Sequence, residues 1–269
     1  LLHGAELYSE LVNHGESWGI SAKDVTVDWG AYIGRSRKIT EQLNNGVAYL
    51  FKKNGIEHVQ GHAHIISGAT NSSPCKIEIR LPQGDYYNGS GEGAVETITA
   101  DRIMVATGAK PRDLPFAPCD NEVIVNSLKA MTLDERPSSV VVIGSGAIGM
   151  EFAYVYNAFG TDVTIVEMLD RILPLEDEEV SKQAERAFKK QGMNIYTSST
   201  VQSVERNENG ATVTLTKGGK ETSVDAQKVL VAIGVAPRTD GLFDESLGLE
   251  LDRGFIKTDM LSANEPTYQ

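Results

Sequence analysis

The sequence predicts an α/β fold of two related three-layer domains, each around a central parallel sheet, with the first domain incomplete. Three observations carry this reading. Val140–Ile143 runs directly into a glycine-rich turn and then into a helical pattern. Two almost wholly apolar runs, Arg102–Gly108 and Val229–Ile233, suit parallel strands buried on both faces. Residues 101–112 (DRIMVATGAKPR) also return at 227–238 (QKVLVAIGVAPR), an offset of 126 that aligns Gly108 with Gly234 and matches Val, Ala, Gly, Pro and Arg. A repeat of this kind is most economically two copies of one supersecondary unit. Residues 1–100 contain no G-x-G-x-x-G, so the opening strand of the first domain is expected upstream of Leu1.

The elements follow in order. Leu1–Leu11 is loosely helical. Trp29–Lys53 predicts a long helix with Tyr32, Ile39, Leu43, Val47, Leu50 and Phe51 as its apolar stripe, ended by Asn54-Gly55. Glu57–Ile66 and Lys76–Leu81 read as strands. The Gly-rich stretch Pro82–Gly93 then leads to Val95–Ala100 as a long-looped hairpin. A helix-like patch precedes Pro137. After it come strand Ser139–Ile143, helix Ile148–Phe159, strand Val163–Glu167 and helix Glu178–Gln191, which Gly192 stops. Strands at Asn194–Thr197, Ser203–Arg206, Ala211–Thr216 and Val229–Ile233 complete the unit. The domain boundaries predicted are 1–125, 126–245 and a return segment over 246–269.

Composition narrows the function classes. The 269 residues carry 25 Lys and Arg against 37 Asp and Glu, a net charge of −12. Such a surface repels phosphate backbones, so nucleic acid is not expected as a partner. No run approaches the roughly 18–20 apolar residues of a membrane span. The two cysteines, Cys75 and Cys119, fall in no metal or Cys-x-x-Cys spacing, which points to a reducing, cytoplasmic setting.

The turn Gly144-Ser145-Gly146-Ala147-Ile148-Gly149 is a weak signal alone but gains force between a strand and a helix. Gly144 permits the tight turn, Gly146 lets a pyrophosphate approach the backbone, and Gly149 lets the helix close on the sheet. The helix start offers unpaired N–H groups and a positive dipole to the phosphates. Glu167 ends the next strand, where a carboxylate accepts hydrogen bonds from adenosine ribose hydroxyls and repels a 2′-phosphate. NAD is therefore favoured over NADP. Arg171 lies four residues on and could receive a 2′-phosphate, but a solvent-facing or structural role is the better reading.

Gly144–Gly149 followed by Met150-Glu151-Phe152, then Val163–Glu167 and Arg171-Ile172-Leu173-Pro174, resembles the dihydrolipoyl dehydrogenase branch of the flavin-dependent pyridine nucleotide–disulfide oxidoreductases. The likeness extends through Val105-Ala106-Thr107-Gly108, Val231-Ala232-Ile233-Gly234 and the Arg35-Ser36-Arg37-Lys38 helix. It implies FAD and NAD as cofactors and two related FAD/NAD(P)-binding, Rossmann-like domains. Gly144, Gly146, Ala147, Ile148 and Gly149 would line the NAD site, with Glu167 on the ribose, Val201 beside the adenine and Gly234 toward the nicotinamide. Glu151 would stand where nicotinamide meets flavin; a first-turn acid favouring the helix dipole is the competing reading. His62 and Ala63 would meet the FAD adenosine, and Thr107 and Gly108 would lie along FAD.

The resemblance further implies hydride transfer through FAD to NAD+, with dihydrolipoamide on an acyl-transfer complex as the electron source and a homodimer as the intact form. The redox cysteine pair and the catalytic His of that pattern are expected outside residues 1–269, so no catalytic residue is assigned here. The alternatives are another disulfide oxidoreductase (mercuric or glutathione-type reductase, or soluble transhydrogenase) and a non-catalytic NAD-binding fragment. His62 and His64 share a strand face, but no further ligand has recognisable spacing, and no metal is expected. The acidic run Glu176–Glu179 is read as helix capping.

Overall fold

A computed structural model describes residues 1–70, 72–81, 93 and 95–258. The chain forms two compact units, one of Leu1–Asn45 with Pro111–Val235 and the other of Gly46–Lys110 with Ala236–Gln269. The first residues thus group with the glycine-turn unit, and not with residues 46–110 as the expected 1–125 boundary has it.

Helix α1 spans Leu2–Ser9 and α2 spans Trp29–Lys53, the full length its periodicity predicts. At the end of α2, Gly55 N–H bonds the Lys52 carbonyl and Ile56 N–H the Phe51 carbonyl, the paired closure that a left-handed glycine allows. Trp29 is buried, but the predicted stripe beyond Tyr32 is not: Ile39, Leu43, Val47 and Leu50 are exposed. No element of the described residues covers them.

In the second unit β1 (His62–Ser67), β2 (Cys75–Arg80) and β3 (Val95–Ala100) form an antiparallel meander. Alternation in β2 buries Cys75, Ile77 and Ile79 on one face. The predicted first strand begins late, at His62. The predicted connecting stretch at 82–92 lies outside the described residues. The predicted strand Arg102–Gly108 is not formed; Met104 is 91 % exposed, and only Ala109–Pro111 (β4) is a strand there. Its composition suits burial on both faces, yet no described strand lies beside it to accept its backbone.

The first unit continues with β5 (Ile124–Val125), α3 (Ser127–Ala130), β6 (Ser139–Ile143), α4 (Ala147–Ala158), β7 (Asp162–Val166), α5 (Glu178–Lys190) and β8 (Asn194–Tyr196). Then come β9 (Thr200–Asn207), β10 (Gly210–Lys217), β11 (Lys220–Ala226) and β12 (Lys228–Val231), and the chain leaves this unit at the start of β13 (Val235–Pro237). A parallel sheet of order β5-β12-β6-β7-β8 forms the middle layer. Alternation along β6 sends Val140 and Val142 into a core with α4, Ala5, Trp29 and Leu133. Val141 and Ile143 enter a second core, against Ala211, Val213 and Leu215 of the antiparallel sheet β9–β11. The result is helix, parallel sheet, antiparallel sheet. Trp29 fixes the N-terminal helices to it, donating its indole N–H to the Leu133 carbonyl at 2.8 Å and stacking near Tyr156.

The same parallel register positions the site. Ile143 pairs with Val166, so the residues that follow each strand, Gly144 and Glu167, emerge side by side at the carboxyl edge of the sheet. In open α/β sheets that edge is where ligands sit.

Candidate dinucleotide-binding site

Gly144 takes φ +98°, and a β-carbon there would meet the Ala232 carbonyl oxygen at 2.5 Å. Its N–H bonds the Val166 carbonyl at 2.9 Å, tying the turn to β7. A β-carbon at Gly149 would stand 2.1 Å from the Gly144 oxygen and 3.3 Å from Val142 Cγ1, so only glycine lets α4 close on the sheet. Gly146, the N-cap of α4, is different: a β-carbon there meets nothing within 4 Å. Its backbone is open to an approaching group, while Ala147 and Ile148 open the helix with its unpaired N–H groups. Gly146 itself brings no side chain to cap this N-terminus.

Glu167 is buried, and its carboxylate is already engaged. Oε2 accepts from Ser145 N (2.9 Å) and Ser145 Oγ (2.7 Å), and Oε1 accepts from Leu169 N (2.8 Å). A carboxylate offers about four lone-pair positions, so one on Oε1 remains for an outside donor. Ser145, fully buried, was not among the residues singled out from the sequence. The only hint was a hydroxyl residue in the variable position after Gly144.

The other candidate residues fall into two groups. In the first unit, Val201 lies half-buried on β9 opposite Leu215, against the core that backs β6. Gly234 follows β12 at φ +102°, and its carbonyl accepts Arg112 N–H at 3.0 Å. Glu151 is exposed and sits in the second turn of α4, not the first, so the dipole reading weakens, because that effect falls off within one turn. Arg171 Nη1 lies 3.5 Å from Asp170 Oδ1. Its buried Nε has no partner among the described residues. Asp177 caps α5 through Glu179 N at 2.8 Å, the capping role expected of the acidic run.

In the second unit His62 and Ala63 are exposed on β1, and Thr107 and Gly108 are exposed ahead of β4. His64 Nδ1 lies 2.8 Å from the Gly241 carbonyl and its Nε2 3.6 Å from Asp244 Oδ1, so this imidazole braces β1 to the 239–244 segment. Among the described residues no group of three His, Cys, Asp or Glu is placed to hold a metal ion. Cys75 and Cys119 are free thiols. No described helix is long and apolar enough to cross a membrane.

A parallel strand, an open glycine turn and an acid on the neighbouring strand define a dinucleotide-binding α/β protein. The chain belongs to the pyridine nucleotide-disulphide oxidoreductase family, whose profile matches residues 1–265. It is 35 % identical over 260 residues to a dihydrolipoyl dehydrogenase of Chlorobaculum tepidum, covering 96 % of this chain and 52 % of that protein. A dihydrolipoyl dehydrogenase of Rhizobium etli is 37 % identical over 267 residues, covering 96 % and 54 %. Among solved structures, LpdA of Mycobacterium tuberculosis superposes with TM-score 0.83 at 27 % identity, covering 96 % of this chain and 53 % of that one. The chain spans about half the length of the curated relatives it matches.

Proposed function

We propose that this chain holds NAD at the Gly144–Gly149 turn and FAD along the second unit, as part of a flavin-dependent dihydrolipoyl dehydrogenase. The observation that carries the NAD reading is the contrast within the turn. Gly144 and Gly149 are required by the protein's own packing, whereas Gly146 faces open space and leaves its backbone accessible to a pyrophosphate at the start of α4. A pyrophosphate there receives the helix N–H groups and dipole. Glu167 Oε1 accepts one ribose hydroxyl, and Val201 borders the adenine. Gly234 lets the nicotinamide half pass close to the backbone, near Glu151. On the second unit, His62, Ala63, Thr107 and Gly108 would contact FAD.

When bound, the flavin supplies the relay between a dithiol and NAD+; the protein's part is binding, orientation and exclusion of water. The electron source we infer is dihydrolipoamide on an acyl-transfer complex, with a homodimer as the assembled form and the cytoplasm as its site. The relatives' names support this assignment over other disulfide oxidoreductases.

The purified protein tests both cofactors at once. The reading predicts a flavin absorbance band, retained or restored by added FAD, and saturable binding of NAD+. A colourless protein that takes up no FAD would remove the flavin half. NAD+ binding alone would leave a non-catalytic dinucleotide module.

A further inference from the structure

We infer that Ser145 is a specificity-determining positioning residue: its buried hydroxyl pins the Glu167 carboxylate in place and thereby excludes a 2′-phosphorylated dinucleotide. The inference rests on the NAD reading above and extends it to the basis of cofactor choice.

Glu167 alone does not guarantee selectivity. A glutamate on a mobile side chain can rotate away and let a 2′-phosphate take its place. Here rotation would break three hydrogen bonds. Two come from backbone N–H groups that every sequence at those positions would offer, Ser145 N and Leu169 N. The third, Ser145 Oγ to Oε2 at 2.7 Å, depends on the side chain. It is charge-assisted and lies where Ser145 is fully buried and Glu167 only 7 % exposed, so water does not compete for either partner. The hydroxyl touches no position open to a ligand. It acts through Glu167, saturating Oε2 and leaving Oε1 as the edge that meets the ribose. Arg171, the nearest cation in sequence, pairs with Asp170 at 3.5 Å.

The test is calorimetric titration of NAD+ and NADP+ into the wild-type chain and into Ser145→Ala. Loss of a hydrogen bond to a charged group should lower the ratio of NADP+ to NAD+ dissociation constants by about tenfold. NAD+ affinity itself should fall by less. Ser145→Thr, which keeps the hydroxyl, should restore the wild-type ratio. If the alanine variant does not fold, Ser145→Gly removes the same hydroxyl without adding bulk. An unchanged ratio, or equal weakening of both nucleotides, would overturn the inference, as would a threonine variant that behaves like alanine. A wild-type chain that binds neither nucleotide would instead refute the dinucleotide reading, a distinguishable result.

Discussion

Gly149 rests its α-carbon on the carbonyl of Gly144, so close that a β-carbon at 149 would stand 2.1 Å from that oxygen. This contact sets how near helix α4 comes to strand β6, and hence where its N-terminal N–H groups point. Gly149→Ala should therefore cost stability by about 1–3 kcal/mol, the range for overpacking. It should also weaken NAD+ by displacing the helix start. Denaturant unfolding and nucleotide titration of the same variant check the two effects together.

Glu167→Ala removes the proposed ribose acceptor. NAD+ affinity should fall by roughly 1–3 kcal/mol, the scale of a hydrogen bond to a charged group. Stability should also drop, because the fully buried Ser145 loses the acceptor of both its N–H and its hydroxyl. An unchanged NAD+ affinity would remove Glu167 from the site.

Trp29→Phe keeps an aromatic ring beside Tyr156 and Phe159 but leaves the Leu133 carbonyl without the indole N–H. A loss of about 1–2 kcal/mol in unfolding free energy is expected. Nucleotide affinity should remain the same, since the contact lies in the helical core and away from the carboxyl edge of the sheet.

Burial raises the phenol of Tyr32 to about 12, and burial followed by the nearby Tyr32 raises Tyr156 further. A group that holds its proton more tightly when folded contributes stability that is complete below its unfolded value. That stability is lost as pH rises toward the folded one. Stability should thus be flat with respect to these groups below about pH 10 and fall between about 10 and 12. Tyr32→Phe should reduce that alkaline slope, as followed by unfolding at a series of pH values.

Much of this was legible in the sequence, for identifiable reasons. The β-branched runs Val140–Ile143 and Val163–Val166 have both faces buried, so composition alone marks them. Trp29–Lys53 is long and periodic, and Asn54-Gly55 supplies its stop. Strand β11, Lys220–Ala226, escaped because it carries charged and small polar residues on a mostly exposed edge of the antiparallel sheet. Ile124–Val125 is too short to show a period. Arg102–Gly108 reads as a strand because apolar runs usually do, but strand formation needs a neighbour, and no window of sequence reveals one. At the site, the glycines announced themselves by spacing. Ser145 did not, because its role comes from the approach of β7, which brings Glu167 beside it across 22 residues.

The repeat was legible in the same way and has a structural counterpart. Arg112 donates Nε to the Val235 carbonyl at 2.8 Å, and Arg238 donates Nε to the Ala109 carbonyl at 3.2 Å. Each arginine of the repeat thus holds the segment after the other copy's glycine.

The central claim, that Gly146 is open for a ligand and not for the fold, is tested most directly by titrating NAD+ into wild type and Gly146→Val. The added side chain meets no protein atom at its β-carbon, so the loss of stability should be limited to about 1 kcal/mol, the scale of replacing a favourable N-cap residue. NAD+ affinity should fall at least about tenfold as the side chain fills the pyrophosphate's approach. Equal NAD+ binding by the two proteins, or none by the wild type, would contradict it.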